Sequence, residues 1–450
     1  MTDGLLETVP PFSEEGLALQ FAEQHALDLR YVAARGRWFR WDGCRWREDD
    51  DLYAFDRARE VCRRAAGGAN SQRDINALTR AQTVAAVEKL AKADRRIAAV
   101  ISQWDSDPWA LNTPGGIVDL RTGELKPSDP AAYCTKITAV APAASGAQAP
   151  LFAAFLKRIC SDDEDLVRFL KRVVGYSLTG SVSEHALFYG YGTGANGKGT
   201  LLNTITEMLG GYASVASTET FMASNSERHP TDRAMLHGSR FVCAQEVEEG
   251  QRWAESKIKS MTGGDPITAR FMRQDFFTFL PTFKVFLAGN HKPLLRNVDE
   301  AIRRRLHLIP FVVTIPPAER DPNLAERLAE ELPAILRWAI DGALEWQEEG
   351  LNPPPIVRDA TADYLEAEDA LGAWIEEMIE PRPGDFERTG DLFASWRKHA
   401  EAAGEHPGTE RRFAQNFQSR GFEPKRTESA RGFADIRLRR PDYSDDPRWS

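Results

Sequence analysis

Cysteine is scarce: five residues (Cys44, Cys62, Cys134, Cys160 and Cys243) in a chain of 450, with no Cys-x-x-Cys pair. An odd, scattered set excludes a disulfide scaffold or a structural zinc site and fits a reducing compartment. Long apolar runs are also lacking. No stretch approaches the roughly 18 residues that a membrane-spanning helix needs. Met1 to Pro11 is polar and acidic apart from Leu5 and Leu6, so no secretory signal is expected. Positive charge is in deficit, with 57 Lys and Arg against 67 Asp and Glu and a net charge of -10. That excludes a chain basic throughout, but not one basic in places. With 42% hydrophobic and 28% charged residues the composition is that of a folded protein, and the length suits two or three domains. The expectation is a cytoplasmic protein with no membrane partner.

What is present begins with two basic windows. Residues 252–305 hold eleven Lys and Arg against five Asp and Glu, and residues 411–440 hold nine against three, each about +6. A solvated face is the ordinary reading of such a run; a nucleic-acid contact is the alternative. Residues 141–150 (Ala-Pro-Ala-Ala-Ser-Gly-Ala-Gln-Ala-Pro) carry no charge and no large side chain, so they read as a linker closing a domain at 1–140. Inside that domain Asp42-Gly43 suits a tight turn between Trp38, Trp41 and Trp46, which fit a hairpin core better than base stacking. Asn112 to Gly123 suggests a second small strand pair. Phe152, Phe155, Leu156, Ile159, Leu166, Phe169, Leu170, Val173 and Val174 follow a helical period over 151–180. Strand–loop–helix alternation then runs to about Phe311, the mark of an α/β sheet. A helical segment at 321–385, interrupted by Pro353-Pro354-Pro355, precedes a C-terminal module at 386–450 that ends in a hairpin at Gly421–Leu438.

The strongest signal is chemical. An apolar strand at Leu187 runs into Gly192-Thr193-Gly194-Ala195-Asn196-Gly197-Lys198-Gly199-Thr200, and a helical pattern follows at once. Glycines let successive backbone N–H groups curl around phosphate oxygens, the helix N-terminus adds partial positive charge, and Lys198 reaches the β/γ-phosphates. These nine residues are the candidate ATP cradle. The position after the lysine normally offers a hydroxyl to Mg²⁺; here it is Gly199, and Thr200 is the nearest hydroxyl.

Hydrolysis further needs an acid, a phosphate sensor and charge neutralisation. The apolar strand Arg240–Ala244 ends in Gln245-Glu246, which makes Glu246 the candidate acid and, with Thr200, a candidate Mg²⁺ ligand. The strand Phe283–Gly289 delivers Asn290, a neutral amide suited to a phosphate or a water. In Arg303-Arg304-Arg305 not every guanidinium can be buried, so Arg304 and Arg305 are candidate fingers reaching a neighbouring subunit's γ-phosphate. Thr268 to Phe279 reads as two strands around a polar tip. Arg270 and Arg273 there, with Lys257 and Lys259 behind them, are the candidate DNA contacts.

These motifs, in this order, resemble superfamily 3 helicases of the phage/plasmid (poxvirus-type) primase–helicase family. Thr262-Gly263-Gly264-Asp265-Pro266-Ile267-Thr268-Ala269-Arg270-Phe271 looks like the family's extra motif, Phe283 to Asn290 like its motif C, and Asp299 to Phe311 like its arginine-finger segment. The resemblance covers roughly residues 15–440. It implies an α/β fold: a P-loop, AAA+-like ATPase core at 151–320 with motifs at 185–311, preceded by a small α+β domain. The C-terminal module, with Arg411, Arg412, Arg420, Lys425, Arg426 and Arg431 around Phe413, Phe417 and Phe422, reads as a winged-helix-like duplex binder, a small packing domain with a solvated basic face being the alternative. The resemblance also implies an ATP- and Mg²⁺-dependent, ring-forming, usually hexameric DNA helicase moving 3′ to 5′ on single strands and unwinding duplex. Asp105 and Asp107 form a lone pair in a turn, so primer synthesis is not expected of this chain, and a separate primase or other replication proteins would be partners. Two other readings stay open: an origin-binding or loader ATPase that uses ATP as a switch, and a small-molecule kinase, against which the basic windows stand.

Overall fold

The computed structural model describes residues 9–223, 231–271, 275–295, 298–403, 407–427 and 430–439. The N-terminal part folds around a four-stranded sheet in the order β3-β2-β1-β4, made of β1 (Leu29–Val32), β2 (Arg37–Trp41), β3 (Trp46–Glu48) and β4 (Ala98–Ala99). The turn between β2 and β3 is held by Asp42, whose Oδ1 accepts from the N–H groups of Cys44 and Arg45 at 3.0 and 2.9 Å. Trp38 and Trp46 are buried, packing against Phe21 and Trp104 respectively. They are core residues.

A meander follows: β5 (Ala110–Thr113), β6 (Gly116–Asp119) and β7 (Glu124–Lys126). Its Leu111, Val118 and Leu120 join the same apolar core as the helices after residue 150. The segment between them lies against the central unit, with Ala143 N–H donating to Pro333 O at 2.9 Å. Glu331 caps the helix Pro150–Ile159 by accepting from Leu151 and Phe152 N–H at 3.0 and 2.8 Å.

The centre is an all-parallel five-stranded sheet built from β8 (Leu187–Tyr191), β9 (Ala213–Val215), β10 (Phe241–Val247), β13 (Lys284–Gly289) and β14 (Leu306–Pro310). The order across it is β14-β8-β13-β10-β9, with the antiparallel pair β11 (Ile267–Ala269) and β12 (Phe277–Phe279) inserted between β10 and β13. Parallel strands covered on both faces need continuous apolar runs, and alternate residues separate cleanly. Phe188, Phe241, Cys243, Phe286 and Ile309 enter one core with helices Pro150–Ile159, Glu164–Leu178, Lys198–Leu209 and Leu332–Glu349. Leu187, Tyr189, Val242, Leu287 and Leu308 enter the other with helix Glu255–Thr262 and part of Pro355–Ala367. Helices Glu164–Leu178 and Leu332–Glu349 cross backbone to backbone: a Cβ on Gly175 would lie 2.1 Å from Ala343 N, and one on Gly342 2.2 Å from Lys171 O. Only glycine permits that approach.

At the sheet's opposite end from the loop of interest, two buried cations meet the carboxyl end of helix Glu164–Leu178. Arg240 donates to Leu178 O at 2.6 Å, and Lys284, 2% exposed, donates to Thr179 O and Ser181 O. Orphan carbonyls and the negative helix end supply the counter-charge.

The C-terminal module runs helix Ala370–Met378, β15 (Ile379–Arg388), helices Thr389–Ala402 and Glu410–Ser419, then the hairpin β16 (Pro424–Arg426) and β17 (Arg431–Leu438), with sheet order β15-β17-β16. Trp374, Trp396, Phe413, Phe417 and Phe433 form its own core. No helix among the described residues is long and apolar enough to cross a membrane.

Candidate nucleotide-binding site

The site lies at the carboxyl ends of β8, β10 and β13, where ligands of open parallel sheets bind. After β8 the chain turns through Gly192 (φ +153°), Ala195 (φ +60°) and Gly197 (φ +82°) before helix Lys198–Leu209. A Cβ on Gly192 would lie 2.0 Å from Phe311 O, so the turn demands glycine. Asn196, buried, locks the loop: its Nδ2 donates to Thr193 O at 2.7 Å and Phe311 O at 3.1 Å. Ile315 N–H reaches Ala195 O at 2.8 Å, tying the loop to the segment after β14. The N-cap residue Gly197 has no side chain to close the helix, and Asn196 Oδ1 accepts from the first helical N–H, that of Lys198, at 3.5 Å.

Lys198 is buried at 7% exposure and donates to Gly192 O at 2.7 Å. Burial pushes its ammonium down to about 8. A desolvated cation at the positive end of a helix, with one carbonyl as its hydrogen-bond partner, is chemistry suited to an anion. Phosphate fits it.

Glu246 stands at the end of β10 with φ +67°, where a bulge breaks the register between Gln245 and Val247. The left-handed backbone, unfavourable for a residue with a Cβ, turns its carboxylate out of the ladder and exposes it. Asn290 follows β13 directly, and the loop after it is pinned from two sides: the Tyr189 hydroxyl donates to His291 O and the Tyr364 hydroxyl to Pro293 O. Lys198, Thr200, Gln245, Glu246 and Asn290 line one cavity of about 530 Å³. Residues from three separate strands are thereby brought together.

The other candidates lie elsewhere. Arg304 is exposed, whereas Arg305 is 6% exposed, with Nε donating to Thr262 Oγ1 at 3.1 Å and Nη1 to Ala301 O at 2.8 Å. Burial lowers its pKa. Arg305 is an anchor within its own chain, so of the two candidate fingers Arg304 is the exposed one. Arg303 donates to Asp369 at 3.0 Å. Lys259 is paired with Asp299, the residue that caps the arginine-bearing helix, so it belongs to that segment and not to the hairpin. Lys257 is half-buried on the same helix. In the β11–β12 hairpin the Arg270 guanidinium lies 4.6 Å over the exposed Phe276 ring; Arg273 lies outside the described residues. Sequence reasoning missed the two tyrosine hydroxyls and Asp369. Each is set by tertiary contact with no local pattern.

The C-terminal module presents a groove of about 740 Å³ between helix Glu410–Ser419 and the β16–β17 hairpin, bordered by Arg411, Lys425, Arg426 and Arg431.

Comparison with known proteins gives two family matches: "D5 N terminal like" over residues 18–161, and "Family of unknown function (DUF5906)" over residues 190–305. Similar curated proteins include "Putative helicase 022R" of Frog virus 3 (isolate Goorha), 27% identical over 270 residues, or 56% of this chain and 28% of that protein. Another is "Putative helicase L207/L206" of Acanthamoeba polyphaga mimivirus, 24% identical over 297 residues, 61% of this chain and 31% of that one. The chain thus spans less than a third of the length of these relatives. The apo A-form structure of the NrS-1 C-terminal region matches 94% of this chain and 98% of its own, with TM-score 0.50 at 9% identity, a likeness of fold alone. The D5-type match ahead of the sheet and the viral relatives support a likeness of this chain to the D5-type superfamily 3 helicase–primase family.

Proposed function

We propose that this chain is the motor of a DNA helicase that hydrolyses ATP to move along single-stranded DNA, 3′ to 5′, as a ring, usually of six copies, and so unwinds duplex during phage, plasmid or prophage replication. The observation that carries it is the convergence of Lys198, Glu246 and Asn290 on one cavity at the N-terminus of helix Lys198–Leu209. Names of the viral relatives support the helicase part of this reading.

ATP fits the cradle because the glycine-rich turn leads into a helix N-terminus and brings the buried Lys198 ammonium to the same cavity. The phosphates take the place that Gly192 O now fills for the ammonium. Mg²⁺ fits too, since Glu246 is an exposed carboxylate and Gln245 and Thr200 offer neutral oxygens along the same wall. When bound, Mg²⁺ neutralises charge on the transferring phosphoryl group. Glu246 orients and deprotonates the attacking water, and Asn290, held by its pinned loop, hydrogen-bonds to the γ-phosphate or that water. Arg304 supplies positive charge to the neighbouring copy's site.

DNA contact is assigned to the β11–β12 hairpin, where Arg270 and Phe276 pair a cation with an aromatic face, and to Arg273, which lies between the two strands in sequence. Helix–strand–helix–helix–strand–strand order in the C-terminal module supports a winged-helix duplex binder, its groove cations meeting phosphates. That groove also favours a second reading, an origin-binding ATPase that switches without processive unwinding. Strand displacement on 3′- and 5′-tailed duplexes, run with ATPase rates with and without single-stranded DNA, separates them. Stimulated ATPase with displacement on one tail polarity supports the motor; DNA binding with flat ATPase and no displacement rejects it.

A further inference from the structure

The residue after Lys198 lacks the hydroxyl that phosphate loops present to a metal. At Gly199 an added Cβ would meet one neighbour, Gln245 Oε1, at 3.1 Å. That is near the limit of a tolerable contact, and a serine hydroxyl beyond such a Cβ would compete with the same oxygen for space. The small residue on the helix and the long one on the strand are therefore complementary.

The Gln245 amide is also oriented. Its Nε2 donates to Asn203 Oδ1 at 2.9 Å, and Asn203 sits one helical turn after Gly199. With its nitrogen occupied there, the amide directs Oε1 at the first turn of the phosphate helix, beside Thr200 and Glu246 in the shared cavity. An amide oxygen is a hard, neutral donor of the kind that Mg²⁺ and Ca²⁺ accept.

We infer that Gln245 Oε1 replaces the missing hydroxyl as the neutral ligand for the nucleotide-bound divalent cation, with Asn203 as the positioning residue that fixes the amide. This rests on the nucleotide reading above. Glu246 is then the carboxylate of the ligand set, and Glu248 lines the same cavity. The cation enters with the nucleotide's phosphates, because one carboxylate and neutral oxygens hold a hydrated Mg²⁺ weakly by themselves. The geometry further couples positions 199 and 245, so that a hydroxyl at 199 becomes useful only when the side chain at 245 is shortened.

The test is equilibrium binding of a fluorescent ATP analogue to the full chain, titrated with Mg²⁺ from a chelated start. Gln245→Ala should raise the Mg²⁺ concentration for half-maximal tightening about tenfold, the scale on which loss of a metal-site contact is felt. Metal-free affinity should hold. Asn203→Ala should give a smaller shift in the same direction, and Gly199→Ser with Gln245→Ala should recover the wild-type midpoint within about twofold. An unmoved midpoint in Gln245→Ala overturns the assignment, as does a shift seen with Thr200→Ala in its place. Wild-type chain that binds no analogue with or without Mg²⁺ removes the nucleotide reading itself, and this inference with it. Mn²⁺ electron paramagnetic resonance on the analogue complex offers a second readout: Gln245→Ala should alter the spectrum, and an identical spectrum counts against the ligand.

Discussion

Arg420 grips Asp369 with both terminal nitrogens, Nη1 to Oδ2 at 2.9 Å and Nη2 to Oδ1 at 2.6 Å. The same carboxylate, 8% exposed, also accepts from Arg303 at 3.0 Å and from Gly372 N–H at 3.0 Å. One buried acid thus joins the arginine-bearing helix of the central unit to the far end of helix Glu410–Ser419. Asp369→Ala removes the partner of two partly exposed guanidiniums and the cap of helix Ala370–Met378, and should lower stability by roughly 1–3 kcal/mol. Arg420→Gln leaves Asp369 paired with Arg303 and should cost clearly less. Thermal or urea melts of both variants give the comparison; equal losses would mean that the carboxylate does not bridge the two parts.

Arg304 should act across a subunit boundary. Chains carrying Arg304→Ala and chains carrying Lys198→Ala, each inactive alone, should recover part of the ATPase when mixed, because each restores one side of some interfaces. Removing a finger or the loop lysine typically costs orders of magnitude in rate, so a recovery of even a tenth is readable. Arg305→Ala, by contrast, should lower the melting temperature, since it vacates a buried hydrogen bond to Thr262. No recovery on mixing, with a monomeric mass in the presence of ATP and DNA, would sink the ring.

Phosphate affinity should depend on pH through Lys198. Its ammonium is held down to about 8 in the free protein by burial. Below about 8 the cation is present and attracts the anion; above it a bound phosphate must first draw a proton back. Nucleotide affinity measured from pH 7 to 10 should therefore fall on the alkaline side of 8, and Lys198→Ala should flatten that limb. The sign for folding runs the other way. A depressed lysine pKa means that the charged form burdens the fold below about 8, so Lys198→Ala should leave the melting temperature of the ligand-free chain unchanged or raise it.

His307, on β14 between the rings of Phe169 and Phe188, has its pKa lowered from 6.5 to about 4 by burial. The unfolded chain takes up the proton first. Its contribution is whole above pH 6.5 and is lost as pH falls through 4, an amount on the order of 3 kcal/mol. Urea midpoints between pH 7 and 4 should show this acid limb, and His307→Phe should shrink it. An unchanged limb would place the acid sensitivity elsewhere.

Strands such as Phe241–Val247 and Lys284–Gly289 were legible because burial on both faces leaves a continuous apolar run, and the phosphate loop because its glycines and lysine each have a mechanical reason. The arginine triplet was half legible. Charge alone says exposed, yet Arg305 finds Thr262 and a backbone carbonyl within its own fold. Lys284 hid in the same way, since nothing in its strand signals a cation fully buried on carbonyl oxygens. Small uncharged residues at 141–150 look alike in sequence whether they span a gap or lie flat on a surface, and the apolar side of β5 and β6 joins the central core. The contacts of Arg305 with Thr262 and of Lys284 with Thr179 join residues 43 and 105 positions apart, and no local pattern encodes them.

The left-handed backbone at Glu246 sets two selections against each other. Glycine is the residue that this conformation prefers, and the position lies on the surface, so Glu246→Gly should relax the chain by about 1 kcal/mol. A screen that rewards heat resistance alone would drift toward that substitution, and one that rewards DNA replication would purge it. In a lineage that had lost its need to hydrolyse ATP, position 246 is where decay would be expected to register first.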